Sequence, residues 1–129
     1  MIKAIHNGST DGIGLGRPIC EEPHLPRLFL EGKAHSAIAS KLDYNDFGTW
    51  IPFAGTQLRR LGFGLPTVDS ANEKVMIEYK EELKVSTEDF WKKLEDEGII
   101  NSGYPRFGSP KLPWELEYGI QNGIVAGSS

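Results

Sequence analysis

Thr10-Asp11-Gly12-Ile13-Gly14-Leu15-Gly16-Arg17-Pro18 carries three glycines at alternate positions and sets how the first part of the chain folds. Ile13 and Leu15 alternate with glycines, which is strand periodicity with almost nothing on one side. A short strand is therefore expected here. Glycine weakens a strand and marks a place where a ligand or another backbone comes close. Pro18 ends any pairing, because it has no N–H to donate. Backbone N–H groups flanked by glycine can approach a phosphate unobstructed. Arg17 adds a planar guanidinium suited to bidentate phosphate contact. The residues alone leave a simpler reading open, a buried glycine-rich strand edge with Arg17 in a structural ion pair. A dinucleotide fingerprint fits badly. The glycines run G-x-G-x-G instead of G-x-G-x-x-G, and Pro18 stands where the helix should begin.

The residues on either side read as helices. Met1 to His6 is the end of an amphipathic helix, stopped by Asn7-Gly8. Pro23 and Pro26 suit the opening of a helix over Leu25 to Glu31, with Leu25, Leu28 and Phe29 on one stripe and Gly32 as its cap. Asp43 to Gly64 is expected to be helical, with a break near Pro52 and a stop at Gly62 or Gly64. Its aromatics Tyr44, Phe47, Trp50 and Phe53 are assigned to packing. Only Arg59 and Arg60 stand near them, too few cations for a base-stacking platform. Leu65 to Asp69 is an extended connector. Ser70 to Glu97 is the strongest helical pattern, with Val75, Tyr79, Leu83, Phe90 and Leu94 in register. Ser86-Thr87-Glu88-Asp89 resembles a capping signal, so two helices could meet near Val85. The charged run from Glu78 reads as a solvated face with i,i+4 pairs. A partner-binding helix is the alternative, because Tyr79, Phe90, Trp91 and Leu94 need cover. Asn101 to Pro113 is too rich in glycine and proline to be regular. Trp114 to Ile120 is expected to form a single helical turn, and Gly119 to Ser129 a tail.

Composition narrows the function classes. The chain has 129 residues, 15 glycines and 8 prolines, against roughly 12% for the two types in ordinary proteins. Much of it must be turn and connection. The net charge of −4 disfavours sequence-independent nucleic-acid binding, which depends on neutralising phosphates. There is neither a basic amphipathic face nor an apolar run long enough to cross a membrane. No signal-peptide core occupies Met1 to Thr10. A cytoplasmic protein is expected. A single cysteine, Cys20, excludes an internal disulfide framework. Cys20 and His24 lack a third orienting group, and Pro23 lies between them, so an inert thiol is the better reading. His6, His24 and His35 are too dispersed for a metal centre, and none is expected. Glu21-Glu22 is read as an offset to the positive end of the helix that follows.

Thr10 to Pro18, followed by Glu22-Pro23-His24-Leu25-Pro26, resembles the C-terminal region of the Old Yellow Enzyme family of FMN-dependent NAD(P)H:flavin oxidoreductases, in its fungal NADH oxidase-like form. The family pattern ADxIGLGRPLxxxPDLP forms the eighth barrel strand and the loop after it. His24 stands where the family often has aspartate. The specific match covers about Asp11 to Gly32. A looser one touches Gly55-Thr56-Gln57-Leu58-Arg59 and Trp114-Glu115-Leu116-Glu117-Tyr118.

The resemblance implies an α/β fold class, with this chain supplying the C-terminal part of a (β/α)8 TIM barrel (last strand and helix) and a mainly helical extension. As an isolated chain it would be mostly α and irregular. Residues 1–64 would end the FMN-binding barrel domain, and residues 65–129 would form the extension. Gly16 and Arg17 would bind the FMN phosphate, and active sites of such barrels do lie at the C-terminal ends of the strands. NAD(P)H would be the hydride donor, and an electron-poor alkene or another acceptor the substrate. A whole barrel takes about 250 residues. The family's paired histidine or histidine–asparagine and its tyrosine proton donor have no counterparts in this sequence. No catalytic residue is therefore assigned, and this chain alone is not expected to be a competent enzyme. A different class of function is a non-catalytic helical interaction module that self-associates or binds a full-length relative through exposed apolar faces.

Overall fold

The computed structural model describes residues 2–97 and 104–111. Five helices run in the order α1 (Ile2–His6), α2 (Arg17–Glu21), α3 (Leu25–Leu30), α4 (Phe47–Gly62) and α5 (Glu73–Glu97). The expectation of a mostly α and irregular chain holds for the described residues. The expected Trp114–Ile120 turn and the tail after Gly119 lie outside them.

The strand expected at Thr10–Pro18 is not formed. Residues 12–15 belong to no regular element, and Arg17 opens α2. Alternation alone cannot make a strand, because its hydrogen bonds must go to another segment. Pro18 sits in the first turn of α2, where a missing N–H costs nothing.

Three helix stops follow the sequence closely. Gly32 and Gly64 take φ of 68° and 67°, a left-handed conformation that glycine adopts without penalty. After α3, Gly32 N–H donates to Phe29 O and Lys33 N–H to Leu28 O. After α4, Gly64 N–H donates to Leu61 O and Leu65 N–H to Arg60 O. Both are complete Schellman closures, and Gly8 closes α1 in the same way.

α4 starts later than expected and does not break at Pro52. Asp46 caps it, accepting from Thr49 N–H at 3.2 Å and from the Thr49 hydroxyl at 2.6 Å. These two bonds hold the Asp46 carboxyl below its ordinary pKa. Pro52 forfeits one hydrogen bond near the helix start. Trp50 and Phe53, buried on either side of it, hold the helix in register. α5 is one helix through Val85. The Thr87 hydroxyl donates back to Leu83 O at 2.8 Å instead of capping a new helix. Its charged face does carry an i,i+4 pair, Asp89–Lys93 at 2.8 Å.

The core consists of Leu42, Trp50, Phe53, Val68, Met76 and Tyr79, with Val75, Leu83 and Phe107 against it. Tyr44, Trp50, Phe53, Tyr79 and Phe107 form a continuous run of rings with centroids 5.2–5.8 Å apart. The assignment of these aromatics to packing therefore holds for Tyr44, Trp50 and Phe53. Trp91, by contrast, is exposed.

Side chains of α4 secure the irregular segments. Gln57 forms a two-bond clasp with Val68: its Nε2 donates to Val68 O at 3.0 Å, and its Oε1 accepts from Val68 N–H at 2.7 Å. Arg59 donates to Ser109 Oγ and Pro110 O, and Arg60 to Pro66 O and Phe107 O. Glu82 of α5 accepts from Phe107 N–H at 2.8 Å. Tyr104 covers Gly55 so closely that a Cβ there would come within 2.5 Å of its ring. Thr56 donates to Pro105 O at 3.0 Å, and its oxygen lies 3.3 Å from the Tyr79 hydroxyl. Because Thr56 has one proton and a carbonyl can only accept, Tyr79 is the donor in that pair.

Two outcomes are expected. Gln57→Leu keeps the volume but leaves the buried N–H and C=O of Val68 unpaired. It should lower unfolding stability by about 2–4 kcal/mol in urea titrations. Burial also pushes the Tyr79 phenol well above its ordinary value. The folded state therefore favours the neutral phenol. That contribution is complete below about pH 10 and is lost as pH rises further. Stability should fall above that pH by up to about 1.4 kcal/mol per unit from this group. Tyr79→Phe should flatten the slope in urea unfolding measured between about pH 9 and about pH 11.

Candidate functional site

Arg17 lies beside the first turn of α4, near Phe47 and Trp50. A Cβ built at Gly12, Gly14 or Gly16 would meet nothing within 4 Å, so this backbone is open to an approaching group. The N–H groups of Gly14 and Gly16 make no hydrogen bond to another described residue. Gly16 immediately precedes α2, and Arg17 is its first residue. Gly16 thus lies on the open segment before α2, and Arg17, its sequence neighbour, opens the helix.

Among the described residues Arg17 makes no ion pair of the kind that the simpler reading of this segment would require. Its Cζ lies 4.9 Å from the ring centroid of Phe47 and 5.8 Å from those of Tyr44 and Trp50. Cations within about 6 Å of a ring centroid are attracted by the negative ring face. Tyr44 stacks on Trp50 at 25° between planes.

Glu21 is one helical turn after Arg17, the spacing of an i,i+4 ion pair. It is instead buried and bound elsewhere. Oε1 accepts the Ser70 hydroxyl at 2.6 Å, and Oε2 accepts the Tyr44 hydroxyl at 3.2 Å. Burial, and then the neighbouring Glu21, raise the Tyr44 phenol above its ordinary pKa and keep it a donor. Glu22 Oε2 accepts from Ile38 N–H at 2.7 Å. The expectation that this acidic pair offsets a helix N-terminus is therefore corrected. Glu21 ends α2, and both carboxyls serve as acceptors for distant segments. Sequence reasoning missed this role. The available signal was two adjacent acids in a segment otherwise poor in solvated positions.

No group of three or more His, Cys, Asp or Glu among the described residues could hold a metal ion. Cys20 is a half-buried thiol in α2, and His24 is exposed before α3. No described helix is long and apolar enough to cross a membrane.

No protein-family model matches the chain. It is similar to the NADH-dependent flavin oxidoreductase nadA of Aspergillus parasiticus, with 35% identity over 65 residues. The similarity covers 50% of this chain and 15% of that protein. The chain is thus related in part to a fungal flavin oxidoreductase and spans a small share of its length.

Proposed function

We propose that this chain is the C-terminal part of a flavin-dependent NAD(P)H oxidoreductase, and that Gly16 and Arg17 hold the phosphate of its FMN. The observation that carries this reading is a guanidinium without a carboxylate partner beside an open glycine backbone. The partial similarity to an NADH-dependent flavin oxidoreductase supports it. The residues present fit a phosphate. Gly16 offers an unobstructed backbone, and Arg17 offers charge and planar donors. When bound, FMN supplies hydride transfer from NAD(P)H to an electron-poor alkene or another acceptor. The residues of this chain bind and orient the phosphate, and no proton or hydride step is assigned to them.

The test is flavin binding by the purified chain. FMN should bind about tenfold or more tightly than riboflavin, which lacks the phosphate, because charged hydrogen bonds distinguish the two. Arg17→Ala should remove the difference. Equal binding of FMN and riboflavin by the unaltered chain overturns the reading.

A second reading rests on a different observation. Phe47, Ile51, Leu58 and Leu61, spaced four, seven and three residues apart, fall on one face of α4 and are exposed, Leu58 by 70%. Such a stripe suits self-association, the behaviour of an interaction module. Sedimentation of the chain should then show a concentration-dependent dimer that Leu58→Lys abolishes. A monomer at every concentration overturns this alternative.

A further inference from the structure

We infer that Tyr44, Phe47 and Trp50 are positioning residues, an aromatic clamp that presents the Arg17 guanidinium to an anionic ligand. The inference rests on the proposed flavin reading and adds three residues to its phosphate site. It starts from an ion pair that does not form. Arg17 and Glu21 are four residues apart in α2, where an arginine and a glutamate ordinarily meet. Both Glu21 oxygens are taken by hydroxyls, Ser70 on one and Tyr44 on the other. The guanidinium lies over three rings instead. A cation held by ring faces spends none of its N–H donors on a carboxylate, and its charge stays available.

Each ring is fixed by its own contact. The Tyr44 hydroxyl is tied to Glu21, and its ring stacks on Trp50. Trp50 is buried and packs edge-on against Phe53. Phe47 is the first residue of α4, directly after the Asp46 cap. Arginine carries large rotamer freedom, and a side chain already confined loses less of it on binding. The clamp therefore raises affinity for a phosphate without touching it. Glu21 contributes twice, by declining the arginine and by anchoring Tyr44.

Phe47 is the residue to alter, because it is 62% exposed and lies outside the core. Phe47→Leu should leave thermal unfolding unchanged and weaken FMN binding about two- to fivefold, the size of one exposed cation–π contact. Riboflavin binding should not change, and Phe47→Tyr should restore FMN affinity. Independently of any ligand, the Arg17 Nε–H resonance should carry a ring-current shift that Phe47→Leu reduces. Pyrophosphate should perturb that resonance more strongly in the unaltered chain than in Phe47→Leu. If FMN and riboflavin bind alike while pyrophosphate gives this result, the flavin reading fails and the clamp stands. An Arg17 resonance that is the same in the unaltered chain and in Phe47→Leu overturns the clamp. So does an Arg17 resonance that responds to neither FMN nor pyrophosphate.

Discussion

The run of five rings from Tyr44 to Phe107 is the contact on which the described structure depends. Its members come from the loop before α4, from α4 itself, from α5 and from the 104–111 segment. It runs through the same elements that the polar contacts of Thr56, Arg59, Arg60 and Glu82 join, so packing and hydrogen bonding act on one set of partners. Aromatic pairs in edge or offset geometry add about 0.5–1.5 kcal/mol beyond the area they bury. That matters because few aliphatic side chains are buried among the described residues. The arrangement carries a cost at Trp50. Its Nε1–H is buried without a hydrogen-bond partner among the described residues, so packing alone must hold the indole in place.

Around this axis, side chains do the work that sheets and longer helices do elsewhere. A glycine- and proline-rich chain has many backbone groups without a regular partner. Gln57 meets those of Val68, Glu22 meets Ile38, Glu82 meets Phe107, and the two arginines of α4 reach four sites on the connector and the 104–111 segment. Phe107 and Gly108 turn that segment through positive φ, 42° and 78°, between two of these anchors. Order in the irregular parts is therefore imposed from the helices.

What the sequence revealed and what it concealed divide by range. Helix stops at Gly8, Gly32 and Gly64 were legible because a Schellman closure is local and glycine alone meets its backbone demand. The helical stripe through Val75, Tyr79 and Leu83 was legible for the same reason. The strand at Thr10–Pro18 was misread because pairing is a property of two segments and only one was in view. Thr87 looked like a cap because composition does not say which way a hydroxyl turns. At the site, Gly16 and Arg17 stood out as residue types. The rings over Arg17 did not, since Tyr44, Phe47 and Trp50 lie about thirty residues away. The capture of Glu21 by Ser70 spans 49 positions and leaves no local trace.

α5 has one further consequence. It is 25 residues long, a rod of about 37 Å. Its members of the core and of the layer packed on it are Val75, Met76, Tyr79 and Leu83, all in its first half. Opening the turns beyond Leu83 breaks none of those contacts. The helix is one piece geometrically, with its core anchors gathered toward one end. Among the described residues the core anchors only the first half, so amide protons there are expected to exchange with solvent more slowly than those in the second half.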